Sequence, residues 1–131
     1  MNNLDLNNVH SQLLILLKKI DSICRENNIR YSLFAGTLIG AIRNGGFIPW
    51  DDDADIVFER AEYDKFISVI PSDYEFIRDL WVPRFKKKGG KASIDILILD
   101  SISKNRFEQK IQILKLKFLQ GTLKNKLTLN K

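Results

Sequence analysis

The sequence predicts an α/β (α+β) domain: a small mixed β-sheet flanked by helices. Three observations lead there. The chain has 131 residues, enough for one domain and too few for two comfortable ones. Hydrophobic residues make up 44% and charged residues 28%, a balance that can bury a core and stay folded in water. Segments with helical spacing alternate with short β-rich runs, in the order α-β-α-β-α-(β-β)-β-α.

Each element has its own signal. Over residues 6–25, Val9, Leu13, Leu16, Leu17, Ile20 and Ile23 recur at three- and four-residue steps, the stripe of an amphipathic helix. Asp5, Asn7 or Asn8 is expected to cap it, and Asn27-Asn28 to end it. Residues 29–35 are β-rich, and after Gly36-Thr37 a short helix runs from about Leu38 to Arg43. Asn44-Gly45-Gly46 breaks that helix, because glycines after an asparagine suit positive φ. Pro49 keeps the next residues in a loop, and a strand begins near Asp53. Tyr63, Phe66, Ile67 and Ile70 give residues 60–70 a helical face, stopped by Pro71. Residues 74–80 and 81–85 are weaker strand candidates, and Lys86 to Lys91 reads as a turn. Residues 92–100 form the clearest buried strand, apolar on both faces except at Asp95. From Ser103 to about residue 120, Phe107, Ile111, Leu114 and Phe118 fall at helical steps.

Composition excludes several function classes. No run approaches the ~18 consecutive apolar residues of a membrane span, and the amino terminus lacks the pattern of a secretory signal. A single cysteine, Cys24, cannot form an internal disulfide, and a single histidine, His10, leaves neither a His/Cys zinc set nor a histidine-dependent triad. The net charge of +5 is unevenly spread. Residues 1–100 carry 13 Lys and Arg against 15 Asp and Glu, whereas residues 101–131 carry 8 against Glu108 alone. An acidic body and a basic terminal segment therefore need separate explanations.

Four of the acids crowd into positions 51–55. In extended chain Asp51, Asp53 and Asp55 project to one side, while Asp52, Ala54, Ile56 and Phe58 project to the other, which after Asp52 is apolar and suits a core. Asp53 and Asp55 sit roughly 6.5–7 Å apart along the backbone, close enough to converge on one ion. Asp95 interrupts an apolar strand, where an uncompensated carboxylate costs several kcal/mol or stays protonated. Its compensation is an Arg or Lys partner, backbone donors or a hard cation. If its strand lies beside that of Asp53 and Asp55, the three acids raise one another's pKa unless a divalent metal is bound. Carboxylate oxygens at a partly open site favour Mg²⁺ or Mn²⁺. Gly36-Thr37, between a strand and a helix, suits the approach of a phosphate to free backbone N–H groups. The structural alternatives are a solvated acidic turn, an Asp–Lys pair and a plain capped turn.

These residues form a longer pattern. The string FAGTLIGAIRNGGFIPWDDDADIVFERAEYDKF resembles the core of the LicD-type family of the nucleotidyltransferase fold, which includes fukutin-like proteins and bacterial phosphocholine transferases. The resemblance runs from about Tyr31 to Phe66 and resumes at Ser93–Asp100. It implies a nucleotidyltransferase-like sheet flanked by helices. By position in the string, Gly36 and Thr37 match the phosphate-cradling turn, Asp53 and Asp55 the paired metal-binding acids, and Asp95 the third acid. Asp51 shares the side of the pair and is expected at the metal, directly or through water. Arg43 matches a family position suited to a phosphate contact, and Trp50 one suited equally to packing.

The resemblance further implies Mg²⁺- or Mn²⁺-dependent transfer of a phosphorylated small alcohol, typically phosphocholine from CDP-choline, to a hydroxyl of a cell-surface or lipid-linked glycan. Lipopolysaccharide and teichoic acid are the acceptor classes, and the expected location is the cytoplasm, peripheral to the inner face of the membrane. Family members are longer, so residues 1–131 are expected to form a single, C-terminally short domain with its catalytic core at 29–100. A noncatalytic remnant acting as an interaction module and a small stand-alone nucleotidyltransferase are the rival readings. Arg84, Lys86, Lys87, Lys88 and Lys91 suit a solvated hairpin tip or contact with an anionic substrate. The basic terminal helix suits packing through its apolar stripe or rest on an anionic membrane. No nucleic-acid-binding motif is present, so nucleic acid is not an expected partner.

Overall fold

Leu13, Leu16, Ile20, Ile23 and Cys24 are all buried, and their spacing fixes the inner face of helix α1 (Asn3–Glu26). A computed structural model describes the backbone of residues 3–78 and 82–128, and the side chains of 5–78 and 82–118. Helix α1 begins earlier than its apolar stripe, so Asp5, Asn7 and Asn8 lie inside it rather than at a cap. Their polar groups serve the helix locally. The Asn7 carbonyl accepts the Ser11 hydroxyl at 2.8 Å, and Asn8 Oδ1 accepts the Gln12 amide at 3.2 Å. The carboxyl end closes as expected at Asn27-Asn28. Asn28 has φ 53°, which lets its N–H reach the Arg25 carbonyl and that of Ile29 reach Cys24 at 2.8 Å.

Strand β1 (Ser32–Leu33) is shorter than the β-rich run suggests, because the chain turns into helix α2 (Ala35–Asn44). Gly36 and Thr37 thus occupy the first turn of α2 instead of preceding it. Gly45, with φ 67°, ends the helix in the left-handed conformation. Strand β2 (Asp55–Glu59) and helix α3 (Arg60–Ser68) follow directly on one another. Strands β3 (Tyr74–Ile77) and β4 (Arg84–Lys87) form an antiparallel pair; the expected runs between them reach residues 79–81, which lie outside the described residues. Lys86 and Lys87 belong to β4 rather than to a turn. Pairing outweighs their weak strand preference: Phe85 between them and Arg84 is fully buried, and Lys86 reaches Glu75 on β3 at 3.8 Å.

Strand β5 (Ile94–Leu99) completes a five-stranded sheet of order β1-β2-β5-β4-β3. Among the described residues only β2 and β5 run parallel, and the other three pairings are antiparallel. One face carries Ile56, Phe58, Phe85, Ile94 and Ile96, which join α1 and α3 through Tyr63 and Phe66 in a single core. The expectation that β5 is apolar and buried on both faces holds for one face only. On the other face Leu97 is half-buried and Leu99 is 56% exposed, because α1 and α3 cover the opposite side. That open face also carries Asp55 and Asp95.

The chain divides into two compact units, residues 1–99 and 100–131, where the sequence reading expects one. The second holds helix α4 (Arg106–Thr128), which starts three residues later than expected because Asn105 caps it. Asn105 Oδ1 accepts the Phe107 N–H at 2.9 Å, and the Ser103 hydroxyl binds Glu108 at 2.6 Å. Phe107, Leu114 and Phe118 on this helix are exposed. Among the described residues, no helix is long and apolar enough to cross a membrane.

Candidate functional site

The parallel pairing of β2 with β5 sets Asp55 in direct register with Asp95. The antiparallel pairing of β5 with β4 sets Arg84 in register with Asp95 on its other side. Residues in register point to the same face of a sheet, with neighbouring strands about 4.8 Å apart. Asp55, Asp95 and Arg84 therefore form one row, acid–acid–cation, across three strands. Of the compensations open to Asp95, the sheet supplies an arginine. Its attraction does not offset burial, and the Asp95 carboxyl stays above its ordinary range.

The loop ahead of β2 brings the remaining acids to this row. Burial, then the charges of Asp95 and Asp51, raise the Asp55 carboxyl above its usual value. Asp53 is pushed up to about 6, first by partial burial, then by the charge of Asp51 and a carboxyl–carboxyl hydrogen bond with it. Asp51, Asp53 and Asp55 interact with one another, and Asp55 with Asp95. Ala54, between two of the acids, is fully buried, which is the alternation the sequence implies.

Three contacts hold the loop in place. Thr37 is buried, and its hydroxyl oxygen accepts the Asp55 N–H at 2.8 Å. Gly36 lies against Asp51: a Cβ there would sit 2.5 Å from a carboxylate oxygen. Ala35, with φ 45°, takes the left-handed conformation so that the chain enters α2 at this point. His10 is the residue the sequence reading misses. Its Nε2–H donates to the Asp51 carbonyl at 2.6 Å, and its ring stacks on Phe47 with centroids 4.8 Å apart. No local pattern announces a contact across 41 residues of chain. Arg84, which the sequence suits to a solvated hairpin tip or a contact with an anionic substrate, is not recognisable there as the neighbour of Asp95, since strand register is not written in either strand alone.

A cavity of about 520 Å³ opens beside the acids, between the first turns of α1 and the start of β5. Asp52, Asp53 and Asp95 line it together with Arg84 and Lys91, and Asn8 and Gln12 line it from the helix. Arg43 and Trp50 lie elsewhere. Arg43 is exposed at the far end of α2 from Gly36, with its Nε–H donated to Asn44 at 2.9 Å, and Trp50 is 74% exposed.

Among the described residues, no three His, Cys, Asp or Glu side chains gather into a group able to hold a metal ion unaided. The donor set nevertheless fits a hard cation. Mg²⁺ binds through one or two carboxylates and completes its shell with water and substrate phosphate oxygens, which asks for a carboxylate pair rather than a closed cage. Crowded acids with raised pKa values are what such an ion relieves.

Comparison with known proteins gives the family and the fold. Residues 28–93 match the family described as LicD/FKTN/FKRP, nucleotidyltransferase domain. The chain is 48% identical over 64 residues to the lipopolysaccharide cholinephosphotransferase LicD of Haemophilus influenzae, across 47% of this chain and 24% of that protein. It is 32% identical over 92 residues to an uncharacterized protein of Rickettsia prowazekii, across 70% of this chain and 34% of the other. The chain thus spans about a quarter to a third of the length of these curated relatives. In fold it resembles the crystal structure of ANT(2")-Ia in complex with adenylyl-2"-tobramycin, with TM-score 0.54 and 18% identity over 70% of this chain and 52% of that one.

Proposed function

This chain belongs to the LicD/FKTN/FKRP nucleotidyltransferase-domain family, and from that membership we propose that it serves metal-dependent transfer of a phosphorylated small alcohol to a glycan hydroxyl. The donor is a CDP-activated alcohol of the CDP-choline type, and the acceptor a lipopolysaccharide or similar lipid-linked glycan. The observation that carries the reading is the register of Asp55 with Asp95, which in turn lines an open cavity together with Asp53.

Asp53 and Asp55 would hold Mg²⁺ or Mn²⁺, with Asp95 and Asp51 beside them. The cation, when bound, would neutralise the negative charge of the donor diphosphate. The chain's own residues do the rest. Thr37 and Gly36 set the position of Asp55 and Asp51, and the first turn of α2 presents backbone N–H groups toward an anion. The acceptor hydroxyl oxygen forms its bond to phosphorus as the bond to the CMP oxygen breaks, and CMP departs with that electron pair. Asp95 takes the hydroxyl proton. The work is done in the cytoplasm at the inner face of the membrane. Exposed Phe107, Leu114 and Phe118, next to Lys110, Lys115 and Lys117, support a resting place on an anionic bilayer.

The test is a panel of CDP-activated donors incubated with the chain, Mg²⁺ and glycan, scored for CMP release. CMP release that disappears in Asp53→Asn and Asp55→Asn is expected. Equal turnover in both variants would remove the reading. Incorporation of a nucleotide into the acceptor would replace it with nucleotidyl transfer.

A further inference from the structure

We propose that Arg84 and Lys91 form an anion-binding arm of the acidic cavity, which receives a phosphate group of the substrate on the side of Asp95 away from Asp55. The inference rests on the phosphoryl-transfer reading and deepens it, by assigning two cations that the family string does not contain. Three observations support it. Arg84 follows Asp55 and Asp95 in one row across β2, β5 and β4, two strand spacings or on the order of 10 Å from Asp55. Arg84 and Lys91 both open on the same cavity of about 520 Å³ as Asp53 and Asp95, a volume in the range of small-molecule sites. Among the described residues Lys91 has no ion-pair partner, whereas Lys86 on the neighbouring strand reaches Glu75 at 3.8 Å.

The two side chains suit one chemistry. Arginine offers a planar, permanently charged fork that matches two phosphate oxygens, and it loses little hydration on binding. Lysine adds a mobile point charge on a flexible stem. Against them stand the carboxylates of Asp5, Asp52, Asp53 and Asp95, so the cavity is net negative. A free phosphate is repelled there unless a divalent cation enters with it. The donor diphosphate and a phosphorylated acceptor present the same tetrahedral anion, and experiment distinguishes them.

Calorimetry of the full chain with inorganic pyrophosphate in the presence of Mg²⁺ tests the arm directly. Binding to the wild type is expected, weakened at least tenfold by Arg84→Gln, a few-fold by Lys91→Gln, and partly restored by Arg84→Lys. Lys91 is exposed, so Lys91→Gln keeps the test alive if Arg84→Gln does not fold. Titration with CDP and with glycerol 3-phosphate then separates the sources. A loss confined to CDP assigns the arm to the donor, and a loss confined to glycerol 3-phosphate assigns it to the acceptor. No pyrophosphate binding by the wild type, or unchanged affinity in both glutamine variants, overturns the proposal. Pyrophosphate held through Arg84 without CMP release from any donor would keep the arm and remove the phosphoryl-transfer reading. CMP release with unchanged phosphate affinity in the variants would do the reverse.

Discussion

Asp53 carries the electrostatic tension of the site. Its carboxyl is pushed from 3.8 up to about 6, so the folded chain binds that proton more tightly than the unfolded chain does. The resulting stability is fully present below pH 3.8 and is lost as pH rises through about 6. Asp53 is partly buried yet still more than a third exposed, and screening by solvent reduces the effect to about 1 kcal/mol. Asp53→Asn is therefore expected to make the metal-free protein more stable than wild type at pH 7, and the gap to shrink toward pH 4. Thermal melts of the two proteins across that range measure it. Gly36 and Gly40 give a second pair of outcomes at this scale. A Cβ at Gly36 meets the mobile end of the Asp51 side chain at 2.5 Å, so Gly36→Ala moves a carboxylate at little cost in stability. A Cβ at Gly40 meets the backbone of Gly46 at 2.6 Å and Ile48 at 2.9 Å, neither of which can swing aside. Gly40→Ala is expected to cost about 1–3 kcal/mol in denaturant titration, and Gly36→Ala much less while impairing CMP release.

At the scale of elements, α2 and β2 are joined by one hydrogen bond that serves the site directly. Thr37 keeps its hydroxyl in the core to accept the Asp55 N–H. Thr37→Val retains shape and removes the acceptor, which leaves a half-buried donor unmet at about 1–3 kcal/mol. Lower stability with a disproportionate fall in CMP release is expected, and stability measured beside turnover checks it. Helix α4 offers a separate test. Phe107, Leu114 and Phe118 are 72%, 68% and 72% exposed beside basic residues, so the chain is expected to sediment with phosphatidylglycerol vesicles and not with phosphatidylcholine ones. Leu114→Glu should abolish that sedimentation. The sequence is informative here where spacing is regular: Leu13, Leu16 and Ile20 announce α1, and Asn28 and Gly45 announce the helix ends. It is least informative about strand limits. Residues 29–35 and 92–100 look like longer strands than Ser32–Leu33 and Ile94–Leu99, because strand propensity does not show where pairing with a neighbour stops. Lys86 and Lys87 look like a turn because pairing with β3 is invisible in their own sequence.

For the molecule as a whole, the acids are legible and their surroundings are not. Alternation from Ala54 to Phe58 reveals the side that faces the core, and the break in an apolar strand reveals Asp95. Asp52, expected on the core side, instead lines the cavity together with Asp53, because the strand begins only at Asp55. What stands next to Asp95 depends on strand order, and β1-β2-β5-β4-β3 supplies Asp55 on one flank and Arg84 on the other. The same holds for His10, which reaches Asp51 from a helix 41 residues away. A fold that crowds like charges in an open cavity is stabilised when a cation binds the native state alone. The gain is about 2.7 kcal/mol at a hundredfold excess over Kd. Mg²⁺ is accordingly expected to raise the melting temperature of the wild type by several degrees at pH 7, and by less at pH 5, where the carboxyls of Asp53, Asp55 and Asp95 retain more of their protons.

The decisive measurement is calorimetric titration of Mn²⁺ into the metal-free chain with CDP present, for wild type, Asp55→Asn and Asp95→Asn. Binding by the wild type that weakens at least tenfold in both variants is the expected result. Wild-type affinity in either variant would mean that Asp55 and Asp95, though neighbours in the sheet, do not share the task of holding the ion.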